Sequence, residues 1–218
     1  MFGVFNKPKV TLDSLTIELD EWVRVETGET TVKQWANPEQ TIALSINFFD
    51  EKPDIPTMKN IDELRQYYRE NLMQSNGGII EANFCSLKEV PSIRTIFKIP
   101  QKPSGIAYLA SYTIPFQAFS FVIKIYAPEI TEIGVRNSTI EDLFFEQQAA
   151  KKSKYDTWIS DPYLKTIRNG TLMNRSEEEE YDVAFPLHPL SQARKLLTDL
   201  VDKIQFSRSI ERSKLFTK

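Results

Sequence analysis

Few residues in this chain are of types that do chemistry on their own. There is one histidine, His188, and one cysteine, Cys85. A single histidine rules out sites built from several imidazoles within one chain, and a single thiol rules out a zinc centre of several thiolates and any internal disulfide. A Cys85–His188 couple is the one nucleophile–base pair available, and it requires both residues to reach the same cleft. The simpler expectations are that Cys85, inside the strand-like run Ile79–Leu87, packs as a small hydrophobe, and that His188, just before Pro189, caps or packs at the start of a helix. The 30 acidic residues allow an acid–base carboxylate pair. Glu81 is the one to watch, because its strand neighbours are apolar. Arg94, Lys98 and Lys124 lie on nearby strands as its expected partners.

The run Glu177–Glu180 lacks the spaced oxygens and turn glycine of a calcium loop. It is expected to be a solvated segment. Only 7 glycines occur, and the one adjacent pair is Gly77–Gly78; neither a GxGxxG nor a GxxxxGK[ST] loop is present, so phosphate cradles of those kinds are excluded. Asn137, Asn169 and Asn174 begin glycosylation triplets, which carry meaning only after a secretory signal. The start MFGVFNKPKV lacks the longer apolar core of such a signal, and no run approaches the roughly 20 apolar residues of a membrane span. With 27 basic against 30 acidic residues the net charge is −3, the wrong sign for a general nucleic-acid binder. We therefore expect a cytoplasmic protein with no cofactor, metal, nucleic acid or membrane partner.

The elements that must position these residues can be read from periodicity. Thr11–Glu26 alternates in two short strands that bend at Asp20–Glu21. Glu26–Glu39 reads as a loop with Trp35 packed beneath it. Thr41–Phe49 places Ile42, Leu44, Ile46 and Phe48 on one face of a strand. A first helix begins at Asn60, carries Ile61, Leu64, Tyr68 and Leu72 on one side, and stops at Asn76–Gly77. Arg65 and Arg69 on its flank are expected to be solvated. Strands follow at Ile79–Leu87, Ile93–Ile99, Ile106–Ile114 and Ala118–Ala127; the last three, closely connected, predict an antiparallel meander. The last of them puts Phe119, Phe121, Ile123 and Ile125 on one face.

Asn137–Ala150 predicts a second helix, with a Ser138–Glu141 capping box and with Ile140, Leu143 and Phe144 facing the core. Tyr155 and Trp158 are expected docking residues in the polar stretch that follows. Pro189 opens a third helix with the apolar stripe Leu190, Ala193, Leu197, Leu200, Val201 and Ile204, and Ser207–Lys218 reads as a frayed end.

This order of elements, with the strings NFFDEKPDIP, GGIIEANF and TIPFQAFSFVIKI, resembles the PsbP-like fold family, and the strings are similar to its bacterial branch. That fold is shared by the extrinsic photosystem protein and a Ran-binding import factor. The resemblance spans roughly Leu15 to Ala150. It implies an α+β fold, a central antiparallel sheet flanked by helices in an α-β-α sandwich, for residues 1–152. Residues 153–218, outside the resemblance, are expected to form a C-terminal helical extension packed on the same domain. The family brings no catalytic motif and no functional residue is carried over. Its members mostly act as non-enzymatic binding or assembly factors. The expected function is thus a non-enzymatic bacterial protein-interaction or accessory factor, with a carboxylate enzyme or small-molecule binder, built on Glu81 or His188, as the alternative. Tyr108, Tyr112, Phe116 and Tyr126, on or beside the sheet, are the candidate partner face, and an open sheet edge is a route to a homo-oligomer.

Overall fold

In the computed structural model, residues 9–151 and 158–218 are described, those from 148 to 151 by their backbone alone. Tyr155 and the expected boundary at 152/153 lie outside the described residues. The strands are β1 (Leu15–Ile17), β2 (Val23–Val25), β3 (Val32–Ala36), β4 (Ala43–Phe49), β5 (Gly78–Leu87), β6 (Val90–Pro100), β7 (Ile106–Pro115) and β8 (Ser120–Pro128), then β9 (Ile159–Ser160), β10 (Met173–Asn174) and β11 (Ile204–Phe206). The helices are α1 (Ile61–Met73), α2 (Val135–Lys151) and α3 (Pro189–Lys203), with a short α4 (Arg208–Glu211).

Seven strands form one antiparallel sheet in the order β2-β3-β4-β8-β7-β6-β5. The meander expected from Ile93 to Ala127 is its centre. The stretch expected as loop, 26–39, instead contains β3, hydrogen-bonded between β2 and β4. Its residues are all half-exposed, so no apolar alternation marks it. Trp35 lies in this strand, with the Arg24 guanidinium over its ring at 5.0 Å.

Both faces of the sheet are used. Leu44, Ile46, Phe121, Ile123, Ile125, Tyr108, Tyr112 and Ile96 point one way and share a single cluster with Leu190, Ala193, Leu197 and Leu200 of α3. The C-terminal segment therefore completes the main core, and β11 also pairs with β1. On the other face α1 covers β5 and β6, where Leu64 packs with Ile93, and Leu72 with Ile79 and Ala82. The fold is α+β, helices on either side of an antiparallel sheet.

The local signals behave as physical chemistry requires. The Asn60 side chain accepts from the amides of Asp62 and Glu63 and caps α1. Asn76 takes the left-handed conformation at φ 53°, and the Gly77 amide returns to the Leu72 carbonyl at 2.8 Å. Gly78 is needed for another reason: a Cβ there would lie 1.9 Å from the Thr171 carbonyl oxygen, so the later chain is pressed against the start of β5.

Four local expectations fail. Helix α2 begins at Val135, two residues before the expected start, so Ser138 sits inside the first turn and bonds back to the Val135 carbonyl. Leu143 is 49% exposed while Ile140 and Phe144 are buried. Ile204 starts β11 rather than extending α3. The C-terminus is docked, not frayed: Phe216 is buried against Ile55, Leu64 and Ile93, and the Met58 amide donates to the Lys218 carbonyl at 2.9 Å.

Candidate functional site

His188 and Glu81 each have a partner that explains them. His188 Nδ1 accepts from the Leu190 amide at 3.2 Å and so caps α3. Its Nε2 lies 3.2 Å from Glu129 Oε1, and its ring meets the Tyr108 ring edge-on. Glu81 pairs with Arg94 at 2.9 Å. Cys85 sits on β5 opposite Ser92; burial pushes its thiol up to about 11, against the pull of Arg94. Its titratable neighbours are Arg94 and Glu81, whereas His188 meets Glu129 and Tyr108, so the Cys85–His188 couple is not assembled.

The expected aromatic face is not a face. Tyr108, Tyr112 and Phe116 are 3%, 2% and 1% exposed. Tyr108 and Tyr112 project toward α3, and the Tyr112 hydroxyl donates to the Leu197 carbonyl at 2.9 Å. Phe116 stacks on Phe119. Tyr126, paired across the ladder with Leu109, is on the opposite side of the sheet and exposed. Alternation along a strand separates 108 and 112 from 126 once the register of β7 and β8 is set. Trp22 is partly buried against the main cluster.

The acidic run corrects a second expectation. Glu177 is 3% exposed and Lys98 is 4% exposed; Lys98 Nζ donates to Glu177 Oε2 at 2.6 Å, and the Tyr108 hydroxyl to Oε1 at 3.3 Å. Next to them Arg136, 1% exposed, donates to the carbonyls of Ser176 and Glu178, to Ser191 Oγ and to Asp182 Oδ1. Arg194 donates to both oxygens of Asp182 and to the Glu177 carbonyl. Buried charge requires this completeness of pairing. Only Glu179 and Glu180 of the run are exposed.

Arg65 and Arg69 are likewise engaged, not solvated. Arg69 makes a two-bond pair with Asp161, and Arg65 stacks 3.4 Å over Tyr163 while donating to the Ala82 carbonyl. Tyr163 also accepts from the Ala82 amide, which takes up part of the outer edge of β5. The other edge, β2, is 3 residues long.

Besides an open pocket lined by Glu81, Asn83, Arg94, Tyr163, Glu179 and Arg194, two features of the described residues could take a ligand or partner. One is a cavity of about 240 Å³ between the end of α1, the start of β5 and residues 161–173, with Leu72, Met73, Ile79 and Leu172 among its walls. It contains neither Glu81 nor His188. The second is a pair of loops, 130–135 and 183–187. Glu129–His188 ties the start of the first to the end of the second, and Arg136–Asp182 ties the end of the first to the start of the second. Arg136 also faces the Phe185 ring. Between these ties Ile130, Ile133 and Val135 are 53%, 46% and 43% exposed, and Val183 and Leu187 are 86% and 81% exposed.

These exposed side chains do not sit on loose chain. Turn hydrogen bonds from Ala184, Phe185 and His188 fold the second loop, and Val135 closes on Glu132 in the first. Reading by periodicity misses the site because five apolar residues spread over two loops have no period. Its only local trace is the apolar run Val183–Leu187 directly after the acids.

Among the described residues, no cluster of three or more metal-ligating side chains occurs, and no helix is long and apolar enough to cross a membrane. No family model matches the chain, and no curated protein matches it. Among solved structures the chain is similar to the Ran-binding protein Mog1p of Saccharomyces cerevisiae, at 14% identity over 92% of this chain and 95% of that one, with a TM-score of 0.47. It is also similar to the cyanobacterial PsbP, CyanoP, of Synechocystis sp. PCC 6803, at 11% identity over 69% of this chain and 94% of that one, with a TM-score of 0.41. A Ran-binding protein and a PsbP, the two kinds of protein named by the sequence resemblance, are thus among its structural neighbours.

Proposed function

We propose that this protein is a non-enzymatic protein-interaction factor that engages its partner through the paired loops 130–135 and 183–187. The observation that carries the proposal is the exposure of Val183 and Leu187, 86% and 81%, in a loop pinned at both ends by buried side chains. Exposed apolar side chains held in place, not loosely draped, are what a binding surface needs, because little conformational freedom is then lost on association. Scattered exposed apolar residues are ordinary; these five lie on two loops joined at one end by the Glu129–His188 hydrogen bond and at the other by the Arg136–Asp182 ion pair.

The absence of catalysis is part of the same proposal. His188 has both ring nitrogens engaged, Glu81 is paired with Arg94, and the Cys85 thiol is pushed away from its reactive form. A bacterial cytoplasm, which keeps thiols reduced, suits a chain with one half-buried cysteine.

The test is affinity capture with the full chain and with Leu187→Asp. Because Leu187 is solvent-exposed, the variant is expected to melt at the temperature of the parent. A protein recovered in stoichiometric amount by the parent and lost by Leu187→Asp supports the proposal. Identical recovery by both proteins refutes it.

A further inference from the structure

We infer that the cavity between the end of α1, the start of β5 and residues 161–173 binds a small uncharged molecule with an apolar body and one hydrogen-bond acceptor. The site is separate from the paired loops, and the inference does not depend on the interaction reading.

Specific contacts hold the walls. Gly77 and Gly78, the one adjacent glycine pair in the chain, lie where α1 gives way to β5. A Cβ at Gly77 would meet Leu72 Cδ2 at 3.0 Å and the Lys98 carbonyl oxygen at 3.1 Å, and one at Gly78 would meet the Thr171 carbonyl oxygen at 1.9 Å. Bare backbone at this corner therefore lets the chain around Thr171 lie against the start of β5. Two ties fix that later chain. Thr171 Oγ1 donates to the Asn76 carbonyl at 2.6 Å. Asp161 takes both Arg69 bonds, at 2.7 and 2.8 Å, and accepts from the amides of Tyr163 and Leu164. The cavity so bounded is about 240 Å³, with Leu72, Met73, Ile79, Ile167, Leu172 and Met173 as its apolar walls.

Size and charge define the ligand. An apolar cavity of about 150 Å³ accepts benzene, so about 240 Å³ suits roughly ten non-hydrogen atoms, too few for a dinucleotide or a peptide. The charged residues on the walls are Arg69, Glu70 and Asp161. Asp161 meets the Arg69 charge, and Glu70, which is exposed, accepts from Gln66 Nε2 at 2.8 Å. Of the Arg69 nitrogens, Nε and Nη2 belong to Asp161, whereas Nη1 makes no hydrogen bond to any described residue. The wall thus offers a donor without a free charge. An anion would compete with Asp161 for the guanidinium and lie on the same wall as Glu70. A cation would share the wall with Arg69. A neutral acceptor such as a ketone or amide carbonyl meets neither penalty.

The experiment titrates the full chain, by fluorine NMR, with four probes of nearly equal size. They are para-fluoroacetophenone, para-fluoroethylbenzene without an acceptor, the anion para-fluorobenzoate and the cation para-fluorobenzylammonium. The ketone is expected to bind saturably with a Kd on the order of 0.1 mM, the ethyl analogue several-fold more weakly, and both ions at least about tenfold more weakly. Leu172→Trp, and Met73→Trp at a helix residue 50% exposed, narrow the cavity and are expected to weaken the ketone about tenfold. Arg69→Lys keeps a charge for Asp161 but removes the third nitrogen. It is expected to bring the ketone to the level of the ethyl analogue and to leave that analogue unchanged. Melting temperatures verify that each variant is folded, and Leu187→Asp is expected to bind the ketone as the parent does.

Ketone binding that the folded tryptophan variants do not weaken places the ligand elsewhere and refutes the site, as does the lack of saturable binding. Met73 is exposed, so Met73→Trp decides this point even when Leu172→Trp fails to fold. Tighter binding of either ion, or equal binding of the ketone and its ethyl analogue, refutes the ligand class. None of these results bears on the paired loops, and loss of partner capture by Leu187→Asp does not bear on the cavity.

Discussion

Lys98 and Glu177, 79 residues apart in sequence, form an ion pair of 2.6 Å with side chains only 6% and 4% exposed. Lys98 lies on β6 of the central sheet and Glu177 in the first short turn after β10, so this one contact fastens the C-terminal segment to the face on which α3 packs. The remaining oxygens of Glu177 are used locally: Oε2 also accepts from the Asn174 amide at 2.8 Å, and Oε1 from Tyr108. The pair satisfies the condition under which burying two charges is tolerable, namely that the charges meet directly and both carboxylate oxygens accept further hydrogen bonds or the partner's own.

Breaking the pair on one side is therefore expected to be costly. Lys98→Met leaves Glu177 charged and unpaired in the core, and the expected loss is about 3–5 kcal/mol in urea unfolding. Glu177→Gln added to Lys98→Met removes the charge yet keeps an oxygen to accept from the Asn174 amide and an amide N–H that can donate to the Tyr108 hydroxyl oxygen. The double variant is expected to recover at least about 2 kcal/mol of that loss. A simple sum of the two single effects would show that the contact does not couple.

Acid stability is expected to depend on Asp161. Its burial works to raise the carboxyl pKa, but the Arg69 guanidinium and the amides of Leu164 and Tyr163 prevail and hold it below the usual 3.8. A carboxylate with a lowered folded-state pKa stabilises the fold above its unfolded value. That contribution disappears as pH falls through the folded value. Asp161→Asn is expected to be less stable than the parent at neutral pH, with the gap closing as the pH is taken below about 4. Urea midpoints measured from neutral pH to about pH 3 check this. Glu129, held low by His188 and by the Ile106 and Gly134 amides despite burial, adds to the same acid limb.

The aromatic residues are expected to divide by face. Phe116→Ala opens a cavity beneath Phe119 and is expected to cost about 3–5 kcal/mol. Tyr126→Ala, on the exposed side of the same sheet, is expected to change stability by no more than about 0.5 kcal/mol. Equal effects in denaturant unfolding would contradict the burial of Phe116 and the exposure of Tyr126.

The end of the chain is expected to matter for stability. Phe216→Ala empties a buried position between Ile55, Leu64 and Ile93 and is expected to cost about 3 kcal/mol. For a chain of this size that lowers the melting temperature by roughly 6–12 °C, readable by differential scanning calorimetry.

What the sequence by itself determined is local. The period of two from Thr41 to Phe49 and from Ile106 to Ala127 specifies strands because alternate side chains leave opposite faces of the backbone. Asn60, Asn76 and Pro189 mark helix ends because they meet the hydrogen-bonding and φ requirements found there. The expectation that His188 caps or packs at a helix start comes from the same short-range chemistry.

Only the tertiary structure decided which of the remaining residues face water. The fate of Glu177 depends on Lys98, that of Arg69 on Asp161, and that of Tyr108 on α3, all partners far away in sequence. Each partner is delivered by strand register and by the path of the C-terminal segment, and a shift of one residue would turn every such side chain to the other face. The same holds for Val183 and Leu187. Their exposure follows from two ties, Glu129–His188 and Arg136–Asp182, whose members are brought together only when the last third of the chain has folded over the sheet.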